Sequence, residues 1–150
     1  MHRHGSDGVA PETLDIGGQP SFVVPAEDGG LVIGSGDRIL HIGRDGTERA
    51  VLARLPMPAH NRTNDATVDG EGRLWFGTMD DAEFRPTGAL WCLGRGTLHH
   101  MGGDAVVTNG PAITHDGRTL YHVDSYQGSE MLTHQPWKML KRRTGLTKVQ

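Results

Sequence analysis

Three segments of the chain repeat one pattern, and that repeat limits the fold more than any other feature. They read GQPSFVVPAEDGGLVIGS from Gly18, TNDATVDGEGRLWFGTM from Thr63 and TNGPAITHDGRTLYHVDS from Thr108. Each has a polar entry, a short apolar strand, an Asp/Gly turn and a second strand. Gln19, Asn64 and Asn109 open the units, 45 residues apart in both steps. One such unit cannot bury both faces of its own sheet, so neighbours must stack. Strand-turn-strand units repeating every ~40–50 residues mark the blades of a β-propeller. The first strand of each blade lines the common axis. Residues at the same end of successive first strands therefore converge on one channel mouth, and Asn64 and Asn109 hold that position.

The 150 residues give room for about three blades, and the predicted fold is all-β. Blade one is expected from strands near 21–25, 31–35, 38–42 and 50–55, with hairpin turns at Glu27–Gly30 and Arg44–Gly46. Pro56, Pro58 and His60 make a loop into blade two, whose strands fall near 65–69, 74–79, 88–94 and 97–101. Leu74, Phe76 and Thr78 alternate with Trp75, Gly77 and Met79, so both faces are apolar, as in a sheet packed between two neighbours. Blade three starts with strands at 110–114 and 119–124, and then the pattern stops. The expected architecture is two complete four-stranded blades and a partial third. Residues 12–125 form this partial propeller, preceded by a disordered 1–11 and followed by an unrelated basic tail, 126–150, which is expected to be a short helix or disordered rather than to complete blade three.

Charge separates the tail from the body. Residues 1–125 carry ten arginines, no lysine and 17 acids, a net −7. Residues 126–150 carry five basic side chains against Glu130, a net +4, and hold every lysine of the chain. A solvated basic tail and a shifted reading frame both account for that contrast. No apolar run approaches the ~20 residues that span a bilayer, and MHRHGSDGVA has no apolar core of a signal peptide. The lone Cys92 forms no internal disulfide. A cytoplasmic protein without membrane or nucleic-acid partners is the expectation. The open blade edges point to self-association.

The string R-x-N-D at Arg62–Asp65, G-R-x-W-x-G-T-M at Gly72–Met79, GALWCL from Gly88, N-G at Asn109–Gly110 and D-G-x-x-L-Y-x-x-D-S at Asp116–Ser125 resembles the gluconolactonase and regucalcin (senescence marker protein) family. The resemblance covers about Glu12 to Ser125 and corresponds to the middle of a family member. It implies a six-bladed propeller that opens sugar lactones with water activated by a divalent cation in the central channel. It implies that Arg62 and Asn64 contact substrate and that Asn109 is a metal ligand. It also implies a Glu ligand from a Gly-Glu-Gly-Pro motif and an Asp, ligand and base, from a Pro-Asp-Gly motif. Neither motif occurs in this chain, and Glu12 and Asp15 sit in the wrong context to replace the Glu. The catalytic acid/base is therefore unassigned. The chain is expected to be a truncated member, with doubtful activity by itself. Its partner would be a sugar lactone and its cofactor Ca or Zn, with Mg or Mn as alternatives, held by an incomplete ligand set. A non-catalytic propeller fragment or interaction module is the alternative.

The residue types suit this chemistry. A lactone is an ester, and oxygen develops negative charge as water attacks its carbonyl. An arginine donates paired hydrogen bonds to such an oxygen or to hydroxyls, and an asparagine both donates and accepts. A hard cation takes oxygen ligands, of which Asn109 supplies a neutral one. Plainer readings stand beside these. Arg62 also reads as a surface-loop arginine, and Asn64 and Asn109 as turn residues. Asp124 reads as a structural hydrogen-bonder. Asp80, Asp81 and Glu83 read as a solvated loop tip before a cation site, His2 and His4 as parts of a loose terminus, and His99 and His100 as solvated. The Asn61-Arg62-Thr63 sequon carries no weight without a secretion signal.

Overall fold

The computed structural model describes residues 1–3, 12–125 and 138–141, and among them every regular element is a β-strand. In chain order these are β1 (His2–Arg3), β2 (Glu12–Thr13), β3 (Pro20–Pro25), β4 (Leu31–Ser35), β5 (Arg38–Ile42), β6 (Glu48–Arg54), β7 (Asn61–Val68), β8 (Leu74–Asp80), β9 (Gly88–Gly94), β10 (Thr97–Ala105), β11 (Thr108–Ile113), β12 (Thr119–Asp124) and β13 (Lys138–Lys141). All pair antiparallel. Strands β3-β4-β5-β6 and β7-β8-β9-β10 form two four-stranded sheets, β11-β12-β13 a three-stranded sheet, and β1-β2 a short ribbon. Up-and-down sheets, each with its first strand against its neighbour's first strand, make a partial propeller. Strand β7 packs between β3 and β11 along the axis.

The hairpins form where Asp and Gly punctuate the sequence. In each blade an Asp carboxylate caps the turn by accepting a backbone N–H two residues on: Gly30 from Asp28 at 2.9 Å, Glu71 from Asp69 at 2.9 Å, and Arg118 from Asp116 at 3.1 Å. Period-two alternation then decides the packing. From β8 and β9, Leu74, Phe76, Ala89, Trp91 and Leu93 point into a cluster with Phe22, Ile39 and Leu55 of blade one. The intervening Trp75, Leu90 and Cys92 point the other way, onto Leu120 of blade three. All seven residues of β8 are buried, which only a sheet covered on both faces permits. Burial pushes the Cys92 thiol up to about 11, so this side chain packs as a small apolar group.

Three sequence expectations change. Residues 138–141, expected to be helical or disordered, pair with β12 from Thr119↔Lys141 to His122↔Lys138. Two apolar positions in KMLK, set among basic residues, are enough for a short edge strand. The rest of 126–150 lies outside the described residues. At the other terminus His2–Arg3 pairs with Glu12–Thr13, and Met1 and Ile16 cover Ile33, Leu40 and Ile42 on the outer face of blade one. His4 lies outside the described residues. Strand β7 begins at Asn61, four residues before the predicted start. Its polar NRTN opening looks like a loop, but an inner strand beside a channel has no need to be apolar there. No helix among the described residues is long and apolar enough to cross a membrane, which says nothing of a β-barrel.

Candidate functional site at the channel mouth

The early start of β7 places Arg62 and Asn64 on the inner strand of blade two, with Asn109 at the matching place on β11. Both strands bulge there. Asn64 and Asp65 together oppose Gly77, and Gly110 and Pro111 together oppose His122. A bulge bends its strand and re-aims the side chains around it. Gly77 has a second use. A Cβ built on it would lie inside the side chain of Thr108, whose hydroxyl donates to the Thr78 carbonyl at 2.9 Å. The missing side chain lets blade three approach blade two closely enough for their asparagines to meet.

They do meet. Asn64 Nδ2 donates to Asn109 Oδ1 at 2.8 Å and to the Thr108 carbonyl at 2.8 Å. Asn64 Oδ1 accepts from Arg62 Nη1 at 3.2 Å, and Asn109 Nδ2 donates to Ser125 Oγ at 3.2 Å. Arg62 Nη1 also donates to the Thr63 carbonyl at 3.2 Å, and Arg62 Nε donates to Asp81 Oδ1 at 2.8 Å. A continuous polar chain, Asp81–Arg62–Asn64–Asn109–Ser125, therefore crosses from one blade to the next. The three candidates named from sequence lie on one face. Arg62 Nη2 has no hydrogen-bond partner among the described residues. A guanidinium has five N–H donors, so this one keeps two aimed elsewhere.

The acids around this chain have definite duties. Asp65 Oδ1 accepts its neighbour Ala66 N–H at 2.8 Å, and Asp65 Oδ2 reaches across to Gly110 N–H at 2.8 Å. Gly110 has φ 55°, a left-handed conformation that favours glycine, and Asp65 fixes it from the adjoining blade. Asp124 accepts the Val106 and Val107 N–H groups at 3.1 and 3.0 Å, the structural role read from sequence. Asp80 departs from the expected solvated tip. Its side chain is 0% exposed, and its Oδ2 accepts the Arg85 and Phe84 N–H groups at 2.8 and 3.0 Å. Donation from the Arg85 amide, then from Phe84, holds the Asp80 carboxyl below its usual range against the opposing effect of burial. Only Glu83 of the three acids is a free-standing loop-tip residue. His99 is half-buried, and exposed His100 meets Trp91 edge-on at 4.8 Å.

Sequence reasoning did not place Asp81, Asp65 or Ser125 in contact with the blade-two and blade-three candidates. Asp65 carried a usable signal, since it sits 45 residues before Gly110, the residue it holds. Asp81 carried none without the register. Asn61 pairs with Asp80, and that pairing brings Asp81 beside Arg62.

The donor set at the mouth is poor for a hard cation. No three His, Cys, Asp or Glu side chains converge on one point among the described residues. Asn109 Oδ1 is engaged by Asn64, and Asp65 and Asp124 are engaged by backbone amides. The described residues do not by themselves make a divalent-cation centre, which calls for carboxylate charge.

A cavity of about 550 Å³ opens at the other end of the blades, between the hairpins of blades one and two. Val24, Leu52, Val68, Leu74 and Leu93 line much of it. Its walls are mostly aliphatic. Glu27, Asp28, His41 and Arg95 also line it, with His41 paired to Asp28 at 3.1 Å; the hydrogen-bonded chain that links two blades lies at the mouth.

An incomplete ring of antiparallel blades with a polar cluster on its inner strands defines the class: a β-propeller with a channel-mouth site. The model of the SMP-30/Gluconolactonase/LRE-like region family matches residues 1–135. The chain belongs to that family, a family of gluconolactonase-like lactone hydrolases. It is 35% identical over 130 residues to a 6-deoxy-6-sulfogluconolactonase of Pseudomonas putida, covering 83% of this chain and 44% of that one. It is similar in structure to a calcium-binding protein, regucalcin, of Agrobacterium tumefaciens, with TM-score 0.65 and 26% identity over 70% of this chain and 36% of that one. A luciferin-regenerating enzyme shares the fold at TM-score 0.74 and 22% identity, over 93% of this chain and 52% of that one. The chain spans about half or less of the length of each.

Proposed function

We propose that the mouth of blades two and three is the sugar-recognition part of a lactone-hydrolase site. The observation that carries this is the polar chain through Arg62, Asn64 and Asn109, which leaves Arg62 Nη2 open. In this reading Arg62 donates to the lactone carbonyl oxygen, or to a hydroxyl beside it, and gains strength as that oxygen becomes negative. Asn64 and Asn109 exchange hydrogen bonds with ring hydroxyls, breaking their mutual contact as substrate enters. The similarity to a sulfogluconolactonase supports a sugar lactone as the substrate class.

Turnover needs more than recognition. Asp65 and Asp124 both hold backbone amides and are poorly placed to serve as the base. Loss of a general base removes about 10²–10⁴-fold in rate. We infer weak cation binding, with Asn109 as one neutral ligand, and little or no lactonase activity from these 150 residues alone. Binding without turnover would make the chain a non-catalytic module, and the engaged carboxylates favour that second reading. Cytoplasm is the compartment we propose.

The test is hydrolysis of glucono-1,5-lactone followed by pH-stat with calcium or zinc, alongside calorimetry with gluconate, a stable open-chain probe. Hydrolysis near the spontaneous rate is expected, together with gluconate binding that weakens at least about tenfold in Arg62→Ala or Asn64→Ala. Robust metal-dependent turnover abolished by Asn109→Ala would show that another acid supplies the base. No binding, or binding indifferent to both substitutions, would remove the recognition site.

A further inference from the structure

We propose that Asp81 is a positioning residue for Arg62, one that holds the guanidinium so that its free edge meets a sugar ligand. This rests on the reading of the mouth as a sugar-recognition site. The starting observation is the 2.8 Å bond from Arg62 Nε to Asp81 Oδ1, with Arg62 23% and Asp81 50% exposed. An exposed ion pair is normally incidental, since two flexible side chains gain little by meeting in water. This one differs because the loop carrying the acid is tied down.

Five hydrogen bonds fix that loop, Asp80–Thr87. Asp81 N–H donates to the His60 carbonyl at 2.9 Å, which docks the acid's own backbone against the residue two before Arg62. Buried Asp80 gathers the Phe84 and Arg85 amides and closes the turn from within. Asn61 Nδ2 donates to the Thr87 carbonyl at 2.7 Å, and Thr87 Oγ1 donates back to Asn61 Oδ1 at 2.8 Å. Both ends of the loop are thus sewn to Asn61 and His60, the entrance of β7. Asp81 is a fixed acceptor.

The consequence follows from planar geometry. A guanidinium has three nitrogens in one plane. Asp81 takes Nε, and Thr63 and Asn64 take Nη1. With those two nitrogens anchored the plane cannot turn, and Nη2 is presented as a preset pair of donors. Without Asp81, Arg62 keeps only Nη1 contacts, about which the rest of the group swivels. Preorganisation of this kind changes affinity rather than stability.

The test uses the full chain and gluconate. Two-dimensional ¹⁵N spectra should show a slowly exchanging Arg62 Nε–H resonance in the wild type and its loss in Asp81→Asn. Calorimetry should give gluconate binding weakened about tenfold by Asp81→Asn and restored to within about threefold by Asp81→Glu. Arg62→Ala/Asp81→Asn should be no weaker than Arg62→Ala alone. The sign is diagnostic, because gluconate is an anion. Were Asp81 merely a nearby negative charge, its removal would tighten binding. Melting temperatures should stay nearly unchanged, since an exposed pair contributes little. Affinity unchanged or raised by Asp81→Asn, while Arg62→Ala still weakens it, would overturn the positioning role and leave the site standing. Failure of Arg62→Ala to matter, or no gluconate binding at all, would sink the recognition site and the positioning role with it.

Discussion

The interface between blades one and two and the interface between blades two and three come from the same 45-residue repeat but are built differently. The first is mainly apolar: Phe22, Ile39 and Leu55 face Leu74, Phe76, Trp91 and Leu93, with Phe22 and Phe76 rings 5.9 Å apart. Its polar link at the inner strands is short, Ser21 Oγ to Thr63 Oγ1 at 2.7 Å. The second has two smaller apolar patches, Trp75, Leu90, Cys92 and Leu120 in one and Met79, Val106 and Val107 in the other, and its inner strands meet through Arg62, Asn64, Asp65, Asn109 and Gly110. Burial of apolar area stabilises a blade stack at ~25 cal/mol per Å², whereas an exchanged hydrogen bond adds only about 1 kcal/mol. A polar seam is a weak way to join blades. Its presence at the mouth is better explained by what it can bind.

Substitutions that separate the two interfaces should rank accordingly. Phe76→Ala empties the centre of the first cluster from a side chain that is 0% exposed, and should lower unfolding free energy by about 4 kcal/mol in urea titrations. Asp69→Ala comes next, at about 3 kcal/mol. This carboxylate accepts from the Trp75 indole at 2.8 Å, from Arg73 Nε at 2.6 Å and from two backbone amides, all of which it would leave unpaired. Burial raises the Asp69 pKa, but donation from Trp75, then from the Arg73 amide and guanidinium, outweighs it and sets the pKa below the ordinary 3.8. A depressed folded pKa stabilises the native state above the unfolded value and stops doing so as pH falls through the folded one. The gap between wild type and Asp69→Ala should therefore be constant near neutrality and shrink below pH 3.8.

Gly77→Ala should cost about 2 kcal/mol, because the new Cβ meets Thr108 in a packed interface. It should also shift the Asn64 and Asn109 side-chain amide resonances, which Phe76→Ala should leave nearly in place. Asn64→Ala is expected to have the smallest effect on stability, about 1 kcal/mol by urea unfolding, yet to weaken gluconate binding at least about tenfold. If Asn64→Ala destabilised as much as Phe76→Ala, the mouth would be a structural joint and the contrast between the interfaces would collapse.

Much of the frame was legible in the sequence because period-two alternation and Asp/Gly turns are local. The hairpins at 27–30, 69–72 and 115–118 and the two-faced β8 follow from such signals, and the 45-residue spacing assigned Asn64 and Asn109 to one channel mouth. What escaped notice depends on non-local pairing. Asn61 and Arg62 carry no strand pattern until β8 lies against them. Asp81 meets Arg62 only through that register, and Asp80 is buried only because the loop wraps over it. Strand β13 is four residues in a lysine-rich setting, where composition pointed elsewhere. The roles of Arg62, Asn64 and Asn109 were suggested by resemblance, and their contact is a geometric fact that alternation alone does not supply.

The central claim is that the mouth of blades two and three, and not the aliphatic cavity between blades one and two, recognises the sugar. Chemical-shift mapping during a gluconate titration tests it directly. The largest changes should fall on the side-chain amides of Asn64 and Asn109, the Arg62 Nε–H and the Gly110 N–H, with His41 and Arg95 at the other cavity unmoved. Saturable shifts centred on His41 and Arg95, with Asn64 and Asn109 unchanged, would contradict it.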